Sequence, residues 1–126
     1  MGDKHMLLDH RTAVVTGAAA GIGAAIAERL AESGAQVVLA DVDADEGAAL
    51  AARLNGRGLA ACFVRCDVGD LDAIADLKDQ AVALHGRVDI LVNSGDVADA
   101  VLFLSSDMAA SITGQFLNVD NGLMWD

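Results

Sequence analysis

TAVVTGAAAGIG, at residues 12–23, is the stretch that decides the fold. Its first five residues are apolar or β-branched and predict a buried strand, while the glycine-rich run after them predicts a tight turn. Apolar side chains then recur every fourth position at Ile22, Ile26 and Leu30, which indicates a helix that Gly34 ends. A strand, a glycine-rich turn and a helix in this order begin a βαβ unit.

The alternation of apolar runs with helical stretches continues along the chain. Apolar runs predict strands at residues 12–16, 36–40, 59–66, 88–92 and 115–119, and the stretches between them predict helices, the last at 96–105. Strands that are apolar throughout are typical of a parallel sheet covered on both faces. Right-handed crossovers then give the strand order 3-2-1-4-5, with two helices on each face. The predicted fold is α/β, a minimal doubly wound, Rossmann-like three-layer sandwich around a parallel five-stranded sheet.

One compact domain accounts for the 126 residues of the chain. We interpret residues 1–10 as a tag-like leader and residues 11–126 as a single Rossmann-type domain. Within this domain, residues 11–95 form an N-terminal βαβαβαβ core, and residues 96–126 supply the terminal helix and strand. A hydrophobic content of 54% is enough for a sizeable core.

The charge balance excludes two classes of partner. The chain has 8 Lys and Arg against 19 Asp and Glu, a net charge of −11. Nucleic acids and anionic membrane surfaces need basic patches, and a membrane span needs about 18 apolar residues in a row, which the sequence lacks. We therefore expect no nucleic-acid partner and no membrane partner.

The two cysteines, Cys62 and Cys66, fall in one predicted strand. An extended chain separates them by roughly 13 Å, too far for a disulfide. We expect two free thiols and a cytoplasmic, reducing location. No His or Cys spacing resembles a zinc site, so no metal ligand is predicted.

The glycine-rich loop has the composition of a phosphate-binding loop. Gly17 permits a tight turn, while Gly21 and Gly23 let the backbone approach a ligand and let the helix pack closely. The N–H groups at the helix N-terminus attract a pyrophosphate. A purely structural turn is the alternative, but the strand before the loop and the helix after it favour a cofactor.

An acidic residue, Asp41, ends the second strand, 24 positions after Gly17. A carboxylate at this point can accept hydrogen bonds from both ribose hydroxyls and repels a 2′-phosphate, which favours NAD over NADP. Capping of the next helix is the alternative role, but Asp43, with Glu46 three positions later, fits a capping box better.

Several motifs together resemble the short-chain dehydrogenase/reductase family. They are TGAAAGIG at 16–23, Asp41, Cys66-Asp67-Val68 and Leu91-Val92-Asn93, and residues 96–120 resemble the family's last helix and strand. The resemblance implies that Asp67 and Val68 hold the adenine ring, and that Asn93 lies beside the cofactor and braces the sheet. The predicted cofactor-binding residues are therefore Gly17, Ala20, Gly21, Ile22, Gly23, Asp41, Asp67, Val68 and Asn93.

The segment that carries catalysis in this family has no counterpart here. Family members place a catalytic Ser, a Tyr-x-x-x-Lys pair, a proline-glycine turn and a substrate loop between the strand matching 88–92 and the last helix. In this chain Gly95 is followed directly by Asp96 of that helix, and there is no Tyr and no Pro. An engineered internal deletion explains this join, and we predict no catalytic residue.

The predicted function is a truncated, inactive dehydrogenase core that binds NAD through its adenine half, with ADP and AMP as competitors. A folding or assembly module that has lost nucleotide binding is the alternative. An active dehydrogenase is disfavoured, because hydride transfer needs a general acid/base and an ordered nicotinamide.

Self-association is the last expectation. The helix at 96–104 is apolar around more than one face, and the deletion would leave the last strand at the sheet edge with unpaired backbone groups. We expect a homodimer, in which the terminal helix and strand can be exchanged between protomers across a short hinge.

Overall fold

The computed structural model describes residues 7–95, 97–120 and 123–125. Strands and helices alternate through most of this part of the chain. In order they are β1 (Thr12–Thr16), α1 (Gly21–Glu32), β2 (Gln36–Asp41), α2 (Ala44–Gly56), β3 (Ala60–Arg65), α3 (Leu71–His85), β4 (Val88–Ser94), α4 (Val97–Leu104), α5 (Asp107–Ala110), β5 (Ile112–Asp120) and β6 (Leu123–Trp125).

The strands form one sheet in the order β3-β2-β1-β4-β5-β6. The pairs from β3 through to β5 are all parallel, which confirms the predicted five-stranded arrangement 3-2-1-4-5. The sixth strand was not predicted, and it pairs antiparallel with β5, with Val119 opposite Met124. The expectation that the last parallel strand lies at the sheet edge is therefore wrong, because β6 takes the outer position.

Alternate residues of each strand face opposite helical layers, as the period of a strand requires. Val15 belongs to a cluster with side chains of α1 and α2, whereas its neighbour Val14 belongs to a cluster with side chains of α3, α4 and α5. Both side chains are fully buried. Because both faces of the sheet are covered, the central strands β1 and β2 are buried along most of their length, and their apolar runs are visible in the sequence.

The helix ends follow the predicted capping chemistry. Asp43 precedes α2, and its Oδ1 accepts the N–H of Glu46 at 3.1 Å, which is one half of the predicted capping box; the N–H of Asp43 donates instead to Oδ1 of Asp41. Asp70 caps α3 in a similar way, and Gly86 ends α3 with a left-handed φ of 86°. None of the helices in the described part of the chain combines the length and apolar character of a membrane span.

The predicted leader lies partly outside the described residues, since the structure describes nothing before Leu7. Residues 7–10 form a turn, in which the N–H of Leu8 donates to the carbonyl of Ser33 at 2.8 Å. The Leu8 side chain is half-buried and packs against the α1/α2 cluster. The end of the leader is thus in contact with the core.

A buried carboxylate joins the amino ends of β1 and β4. Asp89 accepts the N–H of Thr12 at 2.8 Å, and the guanidinium groups of Arg87 and Arg11 lie 3.1 and 3.7 Å from it. Burial raises the pKa of Asp89, but the hydrogen bonds from Thr12 and Arg87, together with the charges of Arg87 and Arg11, outweigh burial, so its pKa is lowered overall. Asp89 is therefore held in its charged form.

Candidate functional site

The predicted site residues come together at one edge of the sheet. In a parallel sheet the carboxyl ends of the strands lie side by side, and here Thr16 of β1 is opposite both Ala40 of β2 and Asn93 of β4. Asp41 is in turn opposite Arg65 of β3. The segments that follow β1, β2, β3 and β4 therefore open on a common edge, the position where doubly wound sheets bind ligands.

The three glycines of the phosphate loop (residues 17–23) are required for three different reasons. Gly17 has a φ of 63°, and a Cβ there would lie 2.1 Å from the carbonyl oxygen of Ser94. A Cβ on Gly23 would lie 2.0 Å from the carbonyl oxygen of Gly17, so α1 can pack against the loop only without a side chain. Gly21 also has a φ of 63°, but no atom lies within 4 Å of its missing Cβ. The space beside Gly21 is open.

The N-terminus of α1 is free to meet an anion. Ala20 is the N-cap residue and its side chain makes no capping hydrogen bond, and the first turn contains no acidic side chain. The first N–H groups of a helix have no partner within the helix. The N–H groups of Gly21, Ile22 and Gly23 therefore combine with the positive end of the helix dipole at this point, and together they can bind a pyrophosphate.

Asp41 lies next to this loop, and its side chain is half-buried. Its Oδ2 accepts the N–H of Ala19 at 3.0 Å, and its Oδ1 accepts the N–H of Asp43 at 2.9 Å. Each carboxylate oxygen has two lone pairs, so each keeps one for a ligand hydroxyl. The geometry allows both ribose hydroxyls to donate to one side chain.

Asp67 and Val68 follow β3 and lie one strand farther along the same edge. Asp67 is exposed, and its Oδ1 accepts the N–H of Gly69 at 2.9 Å, which fixes the turn before α3. Val68 is half-buried against the α3 side of the core. A carboxylate and an apolar side chain next to each other can contact the polar edge and the face of a purine ring.

Asn93 is fully buried at the end of β4 and links three strands. Its Oδ1 accepts the hydroxyl of Thr16 at 2.8 Å, and its amide donates to the Oδ1 of Asn118 at 2.9 Å. These bonds run from β1 through β4 to β5. The side chain thus braces the sheet directly beneath the loop, while its contact with a cofactor remains a prediction.

Four contributors to this edge escaped the sequence analysis. The N–H groups of Ala18 and Ala19 connect the loop to β2, and backbone donors carry no residue signature. Thr16 and Asn118 hydrogen-bond to Asn93. Thr16 offered a usable signal, because it is a polar residue at the carboxyl end of a buried strand, whereas Asn118 is one of several polar residues in β5.

Other reactive side chains lie elsewhere or are passive. Cys62 and Cys66 are free, and burial raises the pKa of both thiols, that of Cys66 to about 11, so neither is a ready nucleophile. Burial lowers the pKa of His85, which ends α3 near the amino end of β4, opposite the phosphate loop. Among the described residues, no three His, Cys, Asp or Glu side chains are grouped to hold a metal ion.

Comparison with known proteins yields one family. The family model described as short chain dehydrogenase matches residues 11–119. The chain is 43% identical over 95 residues to tropinone reductase-like 2 of Erythroxylum coca, covering 75% of this chain and 34% of that protein. It is 42% identical over 123 residues to D-threitol dehydrogenase of Mycolicibacterium smegmatis, covering 91% of this chain and 47% of that protein.

A solved structure agrees with this result. The crystal structure of hydroxysteroid dehydrogenase from Escherichia coli superposes with a TM-score of 0.85 at 27% identity. The match covers 97% of this chain and 60% of the other. The chain spans about a third of the length of the tropinone reductase-like protein and about half of the length of the threitol dehydrogenase.

Proposed function

This chain belongs to the short-chain dehydrogenase/reductase family, and we propose that it is a truncated, non-catalytic core that binds NAD through its adenine half. The observation that carries this proposal is the uncapped N-terminus of α1, with open space beside Gly21 and the Asp41 carboxylate at the neighbouring strand end. One feature suits a pyrophosphate and the other suits a ribose diol, and they are adjacent, as they are in an adenosine diphosphate.

The roles assigned to the remaining residues follow the course of such a ligand along the sheet edge. Adenine would lie over Val68 with Asp67 at its edge, since both follow β3, the strand beyond β2. The ribose would meet Asp41, and the phosphates would meet the N–H groups at Gly21, Ile22 and Gly23. Asn93 belongs to β4, on the other side of β1 from β2, and would therefore lie towards the nicotinamide half. When bound, NAD would supply a hydride acceptor at that end.

Proton transfer is the function that this chain lacks. A phenol is the general acid in the family pattern, and the sequence contains no Tyr. His85, a candidate for replacing it, lies at the end of α3, near the amino end of β4 rather than at the carboxyl edge that carries the phosphate loop. We attribute the absence to an engineered deletion after Gly95, because β4 leads there almost directly into α4.

Calorimetric titration with NAD, ADP, AMP and NADP tests the proposal. We expect NAD and ADP to bind with similar affinity, AMP to compete, and NADP to bind more weakly because Asp41 repels its 2′-phosphate. Binding of none of the four would leave the alternative, a folding or assembly module without a ligand. Much tighter binding of NAD than of ADP would require a nicotinamide pocket and contradict the truncation.

A second proposal, self-association, rests on α4. Its Ala100 and Phe103 are buried, while Val101 and Leu104 remain 59% and 63% exposed. With 3.6 residues per helical turn, both exposed side chains lie on the same side of the buried row. This exposed apolar strip favours a partner, and a homodimer would cover it. The net charge of −11 opposes association, so the dimer should tighten with salt.

The dimer can also form by exchange of the terminal helix and strand between protomers, since residues 93–95 provide a short hinge before α4. Sedimentation equilibrium at moderate salt should show a dimer of the 12.9 kDa chain. A single monomeric species over a wide concentration range would exclude it. The two free thiols fit a reducing compartment such as the cytoplasm.

A further inference from the structure

We propose that Asp41 is also a positioning residue: its carboxylate holds the phosphate loop against the end of β2 and thereby orients the N–H groups that meet the pyrophosphate. This role rests on the proposed function and deepens it, because it makes one side chain responsible for two parts of the ligand. It predicts that Asp41 affects ligands that contain no ribose.

Two successive N–H groups attach the loop to the last two residues of β2. The N–H of Ala18 donates to the carbonyl oxygen of Ala40 at 3.2 Å, and the N–H of Ala19 donates to Oδ2 of Asp41 at 3.0 Å. The first bond uses a backbone acceptor that every residue has. The second depends on the side chain, and a charged acceptor makes it the stronger of the two.

The carboxylate that receives Ala19 is itself fixed in place. Its other oxygen accepts the N–H of Asp43 at 2.9 Å, and the carbonyl of Asp41 accepts the N–H of Cys66 in the turn after β3 at 3.0 Å. Asp41 is therefore held from two directions, by Asp43 just after its own strand and by Cys66 in the turn after β3. It is a rigid acceptor for the N–H of Ala19.

The loop needs such a contact because two of its glycines have a left-handed backbone. Gly17 and Gly21 both have a φ of 63°, and between them lie only Ala18, Ala19 and Ala20. Alanine side chains offer no hydrogen bond of their own. Ala20 is the N-cap of α1, so a change in the orientation of Ala19 is passed directly to the start of the helix. Loss of the Asp41 contact should therefore disturb the pyrophosphate site.

Inorganic pyrophosphate distinguishes this role from ribose recognition, because the two roles predict effects of opposite sign. If Asp41 only contacts the ribose, Asp41→Ala removes a negative charge near the anion and leaves pyrophosphate binding unchanged or tighter. If Asp41 positions the loop, the same substitution weakens pyrophosphate binding. Asp41→Asn should restore most of the affinity, since its Oδ1 can still accept the N–H of Ala19.

A matched control is available two residues away. Asp43→Asn removes one negative charge from the same turn, and asparagine caps α2 as well as aspartate does. We expect the pyrophosphate affinity of Asp41→Ala to be at least about fivefold lower than that of Asp43→Asn, a difference of roughly 1 kcal/mol. Pyrophosphate binding by Asp41→Ala equal to or tighter than that of the control would overturn the positioning role.

Hydrogen exchange in the ligand-free protein tests the same contact without any ligand. In Asp41→Ala the amide of Ala19 should exchange about tenfold faster, a loss of 1.4 kcal/mol of local protection. The amides of β1 should keep their wild-type rates, which also shows that the variant is folded. An unchanged rate at Ala19 would overturn the proposal.

The exchange measurement also separates this proposal from the proposed function. If the wild-type protein binds neither ADP nor pyrophosphate, the proposed function fails, and the exchange rate of Ala19 alone decides whether Asp41 holds the loop. If ADP binds and the Ala19 rate does not respond to Asp41→Ala, the proposed function stands and the positioning role is wrong.

Discussion

Two reasons favour a glycine at position 21: its left-handed backbone and the space that it leaves for a phosphate. Replacing Gly21 by alanine separates them. The residue has a φ of 63°, and no atom lies within 4 Å of an added Cβ. A left-handed backbone costs a non-glycine residue roughly 1 kcal/mol, and no steric clash adds to it. In a domain of this size, 1 kcal/mol corresponds to a fall in melting temperature of about 4 °C. Stability alone should therefore suffer only mildly.

Binding should suffer more than stability. The open space beside Gly21 is where a phosphate oxygen would approach the first N–H groups of α1, and a methyl group there would hold the ligand away. A shift of a fraction of an ångström beyond about 3 Å weakens such a hydrogen bond steeply. We expect Gly21→Ala to lose ADP affinity at least about tenfold, equivalent to 1.4 kcal/mol, in a calorimetric titration.

Gly58 supplies the control. It also has a left-handed φ, 82°, and open space around its missing Cβ, but it lies in the turn between α2 and β3. Gly58→Ala should show the same loss of melting temperature and wild-type ADP binding. If the two variants bind ADP equally well, the phosphates do not approach Gly21, and the assigned site is wrong.

Three further predictions concern charge and chemistry. Asp41→Ala should weaken NAD binding and relieve the repulsion of NADP, and an unchanged ratio of the two affinities in titrations would refute the ribose role. Because the pKa of Asp89 is held below its ordinary value of about 3.9, its contribution to stability is present above that pH and is lost as the pH falls towards the folded value. In urea denaturation Asp89→Asn should therefore cost about 2 kcal/mol near pH 7, with the difference from wild type shrinking below pH 4; a constant difference would contradict this. Finally, no alcohol, polyol or ketone should change the absorbance of the reduced nicotinamide, and turnover that scales with protein and survives repurification would show a proton donor that we have not identified.

The parallel sheet was predictable because its strands are mainly apolar, most clearly β1 and β2, which are buried along most of their length. Val14 and Val15 illustrate this, since adjacent residues on opposite faces are both fully buried. The three-residue β6 and the four-residue α5 were not predictable, because elements this short contain less than one full period of an apolar pattern.

The site was predictable to the extent that it depends on side-chain type and strand ends. Asp41 could be placed beside the loop from its position after a strand, but its bond to the N–H of Ala19 could not, because a backbone donor is the same in every residue. The hydrogen bond between Asn93 and Asn118 could not be predicted either, since it depends on the register between β4 and β5 and joins residues 25 positions apart. Registers of this kind are set by packing rather than by local sequence.

The bond between the Asn93 and Asn118 side chains has a consequence for how the chain can acquire new chemistry. It closes β4 onto β5, while the intervening connection leaves from Gly95 at the edge that carries the phosphate loop. A segment grafted at that point would emerge beside the phosphate loop, so this connection is a natural insertion site. Nucleotide binding and substrate conversion would then depend on different segments of the chain, and either segment could be replaced without the other.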